Sequence, residues 1–90
     1  MAGIAGVIYK IMPTSPDVNL EEIKSKISEL LEPKGANKMV FTDEPVAFGL
    51  KAIMFMFQWP EEKELEEIQE TIEEMENVQS VQMTDIRKIA

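Results

Sequence analysis

The 90-residue chain is long enough for one folded domain, and its 44% hydrophobic and 29% charged residues are the proportions of an ordinary globular protein. Because it contains no cysteine and no histidine, disulfides, thiolate nucleophiles, zinc sites with the usual ligands and Ser-His-Asp triads are excluded. The net charge of -8 argues against nucleic-acid binding, since phosphate contacts require clustered lysines and arginines.

Membrane and cofactor signals are also missing from the sequence. No apolar run approaches the ~20 residues that span a bilayer, and residues 1–10 lack the basic-then-apolar layout of a signal peptide. The four glycines form no phosphate-binding loop. We therefore expect a single cytoplasmic domain over residues 1–90, with no membrane contact, no cofactor and no metal site.

The first half of the chain reads as a strand followed by a helix. Residues 3–12 are apolar and β-branched, which predicts a strand that ends at Met12-Pro13. Helix one is predicted from about Asn19, which with Glu22 has the spacing of a capping box. Pro33 and Gly35 end this helix. Its apolar residues recur at helical spacing, at Leu20, Ile23, Ile27, Leu30 and Leu31.

The second half begins with two strands and a tight turn. Residues 37–43 and 50–59 are predicted strands around a turn from Pro45 to Gly49, which makes a β-hairpin. Helix two is predicted directly after Trp59, with Pro60 at its first position. A last strand is expected over residues 78–87. The inward stripe of helix two is Leu65, Ile68, Ile72 and Met75.

The element order β-α-β-β-α-β predicts an α+β, ferredoxin-like sandwich, in which a four-stranded antiparallel sheet carries both helices on one face. Right-handed crossovers place strands one and three in the centre. The expected spatial order of the strands is four, one, three, two.

Strand three is apolar on both faces, which is unusual for a sheet covered on one side only. Leu50, Ala52, Met54 and Met56 alternate with Lys51, Ile53, Phe55 and Phe57. One interpretation is that the aromatics and methionines of the open face cover one another, with help from Tyr9. The other is an apolar patch that binds a partner or a second copy of the chain.

The hairpin turn carries a large aromatic residue, Phe48, between Pro45 and Gly49. Such a residue either tucks back under the sheet or projects as an anchor for a partner. Lys51 begins the next strand and either extends into water or contacts the same partner.

Charge is distributed unevenly near the C-terminus. Helix two is rich in glutamate, which indicates a solvated face or, alternatively, a docking surface for a basic partner. Arg87 and Lys88 then add two basic residues at the end of the last strand. They are either simply solvated or reach a phosphate site on a partner.

Three segments resemble one known family. Residues 45–51, Pro-Val-Ala-Phe-Gly-Leu-Lys, look like the hairpin motif of the guanine-nucleotide exchange domain of translation elongation factor 1-beta. Residues 12–20 look like the strand-to-helix connection of its short archaeal-type members, and residues 81–88 like their closing strand. The resemblance covers essentially the whole chain.

This resemblance implies a guanine-nucleotide exchange factor that promotes GDP release from elongation factor 1-alpha and performs no covalent chemistry. In the family the aromatic of the hairpin motif contacts the GTPase, which implies a partner-binding role for Phe48. Gly49 and Lys51 of the same segment are further candidate partner-binding residues. A lysine near the C-terminus disturbs the Mg²⁺ and phosphate site, which implies a role for Lys88 and its neighbour Arg87. A monomer is favoured.

Two other functions stay open on the sequence. The fold also occurs in oligomeric regulatory modules that bind small molecules. A small enzyme that uses Tyr9, Lys51 or a glutamate would need a concave site. The exchange hypothesis has its own geometric condition: if the hairpin tip and the chain end lie at opposite ends of the sheet, one of their two roles is wrong.

Overall fold

A computed structural model describes residues 3–89 of the chain. The elements are β1 (Ile4–Pro13), α1 (Leu20–Leu31), a short 3-10 helix (Glu32–Lys34), β2 (Asn37–Pro45), β3 (Lys51–Pro60), α2 (Glu66–Glu73) and β4 (Val78–Lys88). The sheet has the strand order β2-β3-β1-β4, and all three strand pairs are antiparallel. This confirms the predicted ferredoxin-like α+β fold and the predicted strand order.

Helix α1 begins and ends close to its predicted limits. The Asn19 side chain caps its first turn by accepting a hydrogen bond of 3.0 Å from the backbone N–H of Glu21. Glu22 was predicted to complete a capping box with Asn19, and its backbone N–H instead donates to the Asn19 carbonyl. Past Leu31 the chain tightens into the 3-10 helix that contains Pro33, and Gly35 ends it with a φ of 113°.

Helix α2 begins later than predicted. Pro60 is the last residue of β3, paired with Ile4, and the helix starts only at Glu66. The preference of proline for the first helical position is outweighed by strand pairing, because Trp59 is 4% exposed and pairs with Ala5. The indole N–H of Trp59 donates to the Lys63 carbonyl at 3.2 Å, which fixes the intervening turn.

The core lies between the helices and one face of the sheet, and it contains a row of stacked aromatic rings. Phe55 stacks on Phe41 and Phe57 at centroid distances of 4.8 and 4.7 Å, and Tyr9 stacks on Phe57 at 5.7 Å. The aromatics of β3 therefore all face the helices. Met54 and Met56 occupy its open face, so the interpretation that aromatics cover that face is wrong.

Gly35 lies beneath the side chain of Lys63, which makes this position sensitive to any substitution. The Lys63 ammonium donates to the Lys34 carbonyl at 2.7 Å and lies 5.4 Å from the Trp59 ring centroid. A Cβ atom on Gly35 would lie 2.8 Å from the Lys63 Nζ atom. The positive φ favours glycine here, and any other side chain would also displace the flexible end of Lys63.

We expect Gly35→Ala to lower the free energy of unfolding by about 1–2 kcal/mol, because alanine is strained at this φ and displaces Lys63. Gly49→Ala is the matched control, since Gly49 also has a positive φ, but a Cβ atom added there would have no neighbouring atom within 4 Å. Urea denaturation of both variants measures the difference. Equal losses of unfolding free energy in the two variants would show that displacing Lys63 adds nothing to the effect of Gly35→Ala.

Candidate partner-binding site

The hairpin between β2 and β3 ends in a tight turn that presents Phe48. The Leu50 N–H donates to the Ala47 carbonyl at 3.1 Å, and the Val46 N–H donates to the Leu50 carbonyl at 2.8 Å. The two central residues, Phe48 and Gly49, have φ values of 60° and 77°. Positive φ at both positions is characteristic of a type I′ turn, whose twist matches that of the flanking strands.

Phe48 projects from the protein rather than tucking under the sheet. It is 95% exposed, the largest value among the exposed apolar residues of the described chain. A bulky residue at positive φ is a backbone outlier, and such strain is of order 1–3 kcal/mol. The turn requires the positive φ, whereas the exposed ring adds nothing to the core, so Phe48 is a candidate contact for a partner.

Lys51 follows the turn and lines a groove beside it. The groove has a volume of about 350 Å³ and lies between the hairpin base and the connection from β1 to α1. The Lys24 ammonium on α1 lies 2.7 Å from an Asp43 carboxylate oxygen on β2, so an ion pair connects the hairpin to the helix. The hydrogen bond within this pair raises the pKa of Lys24 above its usual value. No sequence pattern indicated the groove, which is also lined by Pro13 at the end of β1 and by Ser15, Pro16 and Val18 of the β1–α1 connection.

Arg87 and Lys88 lie at the other end of the sheet from the hairpin tip. Lys88 pairs with Ala5, which pairs with Trp59 near the end of β3, whereas Phe48 precedes the start of β3. From Lys51 to Trp59 the strand extends ~26 Å. The structure therefore brings Phe48, Gly49 and Lys51 together but does not bring Arg87 or Lys88 to them.

Arg87 and Lys88 also point to opposite faces of the sheet, as neighbouring residues of a strand do. Arg87 is in register with Gly6 on the open face, where its Nε atom lies 2.8 Å from an Asp85 carboxylate oxygen. Lys88 is in register with the buried Ala5 on the helix side. The two residues do not form one basic patch.

Tyr9 and Lys51, the residues named above for a small enzyme, lie in different environments. Tyr9 is fully buried, and Lys51 is exposed near the end of the hairpin. Within residues 3–89 no three acidic side chains are grouped to hold a metal ion. Neither α1 nor α2 is long and apolar enough to cross a membrane.

The Tyr9 hydroxyl is an unsatisfied polar group in the core. It is buried with no hydrogen-bond partner among residues 3–89. Burial raises the pKa of Tyr9 to about 12, and the negative charge of Glu73 adds to this effect. A tyrosine that acts as a general base needs a lowered pKa, whereas the pKa of Tyr9 is raised.

We expect Tyr9→Phe to raise the free energy of unfolding by about 1 kcal/mol at pH 8, because it removes an unsatisfied buried hydroxyl. Since the folded-state pKa is raised, the wild type should lose stability between about pH 10 and pH 12, where the unfolded tyrosine releases its proton first. Urea denaturation at pH 8 and pH 11 measures both effects. A less stable Tyr9→Phe at pH 8 would mean that the hydroxyl is hydrogen-bonded after all.

Comparisons with known proteins agree on one family. The model of the EF-1 guanine nucleotide exchange domain matches residues 6–89. Proteins named elongation factor 1-beta are similar in sequence: that of Methanococcus vannielii is 44% identical over 62 residues, covering 67% of this chain and 70% of its own. That of Methanocaldococcus jannaschii is 51% identical over 55 residues, or 61% of each chain. That of Staphylothermus marinus is 41% identical over 58 residues, covering 64% of this chain and 63% of its own.

Proposed function

Since the chain belongs to the family of EF-1 guanine nucleotide exchange domains, we propose that it promotes GDP release from elongation factor 1-alpha during translation elongation. The observation that supports this most strongly is Phe48, an exposed and conformationally strained aromatic at the tip of the hairpin. Because the proposed partner is a translation factor, we expect the protein in the cytoplasm. The proposed exchange requires no covalent chemistry by the protein and no cofactor of its own.

Exchange requires the factor to bind the nucleotide-free GTPase more tightly than the GDP-bound form. Linkage then makes GDP bind less tightly to the complex by the same factor. Each tenfold loss of GDP affinity corresponds to ~1.4 kcal/mol of preferential contact. The ring of Phe48 supplies that contact by entering an apolar pocket that is open only in the nucleotide-free GTPase.

Lys51 assists from the same end of the sheet. Lys51 is exposed next to the hairpin tip, close in sequence to Gly49, and no acidic group of the described chain lies within ion-pair distance of its ammonium. It can therefore pair with an acidic group on the rim of the pocket that receives Phe48. Gly49 contributes through its positive φ, which sets the direction of the tip.

Of the two ends of the sheet, the tip carries exchange in this proposal. Phe48 combines near-complete exposure with strain, and Lys88 combines exposure with an ordinary strand position. A distance of ~26 Å along the strands separates them, so they cannot enter one pocket of the partner. The role that the family resemblance implies for Arg87 and Lys88 is therefore tested separately from that of the tip.

The test is the release of a fluorescent GDP analogue from purified elongation factor 1-alpha. We expect a catalytic amount of the protein to accelerate release when unlabelled GDP is in excess. Release at the unassisted rate would contradict the proposal. Sedimentation of the protein alone addresses the regulatory-module alternative, which requires an oligomer.

A further inference from the structure

The hairpin that carries Phe48 extends past the four-stranded part of the sheet. The pairing of β1 with β3 ends at the row that contains Ile11, Ile53 and Asp43. Residues 44–52, the hairpin overhang, lie beyond this row, where β2 and β3 pair with each other and, within residues 3–89, with no third strand. A two-stranded hairpin without further support is only marginally stable in water. The direction of Phe48 therefore depends on what holds the base of the overhang.

Packing gives the overhang little support. Residues 44–49 are all exposed, and none of residues 44–52 belongs to the core cluster of the described chain. The groove of about 350 Å³ lies between Lys51 and the β1–α1 connection, which lines it with Ser15 and Pro16. The connection therefore leaves room for the overhang to change its direction.

An ion pair joins the base of the overhang to the helix layer. Asp43 is the last residue of β2 within the four-stranded part, and its carboxylate oxygen lies 2.7 Å from the Lys24 Nζ atom on α1. The Lys24 side chain is 15% exposed, so dissolved salt screens this pair less than a fully exposed one. Lys24 also lies 3.3 Å from Glu21 of its own helix, a contact that does not involve the hairpin. The two contacts of Lys24 can therefore be tested separately.

We propose that Asp43 and Lys24 are positioning residues for exchange, because their ion pair fixes the overhang against α1 and so sets the direction of the Phe48 ring. The inference rests on the proposed function, in which the ring enters a pocket of the GTPase. Both residues act through Phe48 rather than by a contact of their own. A ring that is already held in its binding direction loses less conformational freedom on binding than one that samples many directions.

The positioning role has a distinct kinetic consequence. The pocket that receives Phe48 is open only in the nucleotide-free GTPase, so the direction of the ring affects the state from which GDP is leaving and not the initial complex with the GDP-bound form. Loss of the ion pair should lower the maximal rate of GDP release and leave the half-saturating concentration of the protein unchanged. A general loss of affinity would instead raise that concentration.

The first test measures GDP release over a range of concentrations of the protein. We expect Asp43→Asn, which keeps the size of the side chain and removes its charge, to lower the maximal rate at least about threefold, a loss within the range of partly exposed ion pairs. Lys24→Met should act in the same way, and the double variant should be no slower than the slower single variant, because both changes remove the same pair. Glu21→Gln is the matched control, since it removes the other contact of Lys24 and should keep the wild-type rate.

The second test measures the direction of the overhang without the GTPase. Because the chain contains no cysteine, spin labels can be attached through Ala47→Cys in the turn and Glu29→Cys on α1, which are both exposed positions. Pulsed electron paramagnetic resonance gives the distribution of distances between the two labels. We expect this distribution to become broader when Asp43→Asn is added and to stay unchanged when Glu21→Gln is added.

Three results would overturn the positioning role. The first is the same distance distribution with and without Asp43→Asn. The second is a wild-type maximal rate in Asp43→Asn, and the third is a double variant in which the losses of the two single variants multiply. If the wild type itself does not accelerate release, the proposed function is contradicted, and the distance measurement still decides whether the ion pair fixes the overhang. Circular dichroism of each variant checks that it is folded.

Discussion

Replacing Phe48 with glycine is expected to reduce the acceleration of GDP release by at least about tenfold while leaving the protein as stable as the wild type or more so. The ring is the proposed anchor, and central aromatic anchors of an interface commonly contribute ~2 kcal/mol or more to binding. Glycine adopts a positive φ without strain, and this gain of about 1 kcal/mol is partly offset by the greater entropy of glycine in the unfolded chain.

Two control variants separate the effects of the ring and of the backbone. Phe48→Ala removes the ring but keeps a side chain at positive φ, so it should lose exchange activity without the gain in stability. Leu30→Ala removes an apolar side chain that is 37% exposed on α1, away from the tip, and should keep exchange activity. Full activity in Phe48→Gly would contradict the anchor role.

Substitutions of neighbouring residues on β3 are expected to differ sharply in their effect on stability. Phe55 is fully buried and stacks between Phe41 and Phe57, whereas Met56 is 42% exposed on the open face. Phe55→Ala should lower the free energy of unfolding by about 3–5 kcal/mol. Met56→Ala should lower it by less than about 1.5 kcal/mol, because that face has no second layer.

Such a loss in Phe55→Ala is a large part of the total stability of a small domain, which is commonly ~5–15 kcal/mol. Urea denaturation followed by far-ultraviolet circular dichroism measures both variants under the same conditions. If Met56→Ala were as destabilising as Phe55→Ala, the open face would have to be covered in solution, by a second copy of the chain.

The fold could be predicted because its signals are local. The helical pattern from Leu20 to Leu31 and the helix stop at Gly35 lie within single segments, and the structure confirms the helix and its end. Leu30 was wrongly predicted on the apolar face, since it is 37% exposed. The strand order followed from the element order and the handedness of crossovers. The exposure of Phe48 was one of two alternatives, and Gly49 beside it indicated a turn, whereas the positive φ of Phe48 itself was not predicted.

The remaining features depend on long-range pairing, which the sequence pattern does not specify. Pro60 reads as a helix start, but pairing with Ile4 keeps it in β3. The register of β4 on β1, including a shift between Ile8 and Tyr9, decides where Lys88 lies. The two apolar faces of β3 are equivalent in the sequence, and only the packing of the helices distinguishes Phe55 from Met56.

The role of the hairpin tip is tested most directly by comparing Phe48→Ala with Lys88→Ala in the GDP-release assay, at equal concentration and with the wild type beside them. The two residues lie at opposite ends of the sheet, so each variant examines one end. We expect Phe48→Ala to lose most of the acceleration and Lys88→Ala to retain it. Loss in Lys88→Ala with full activity in Phe48→Ala would contradict exchange through the tip.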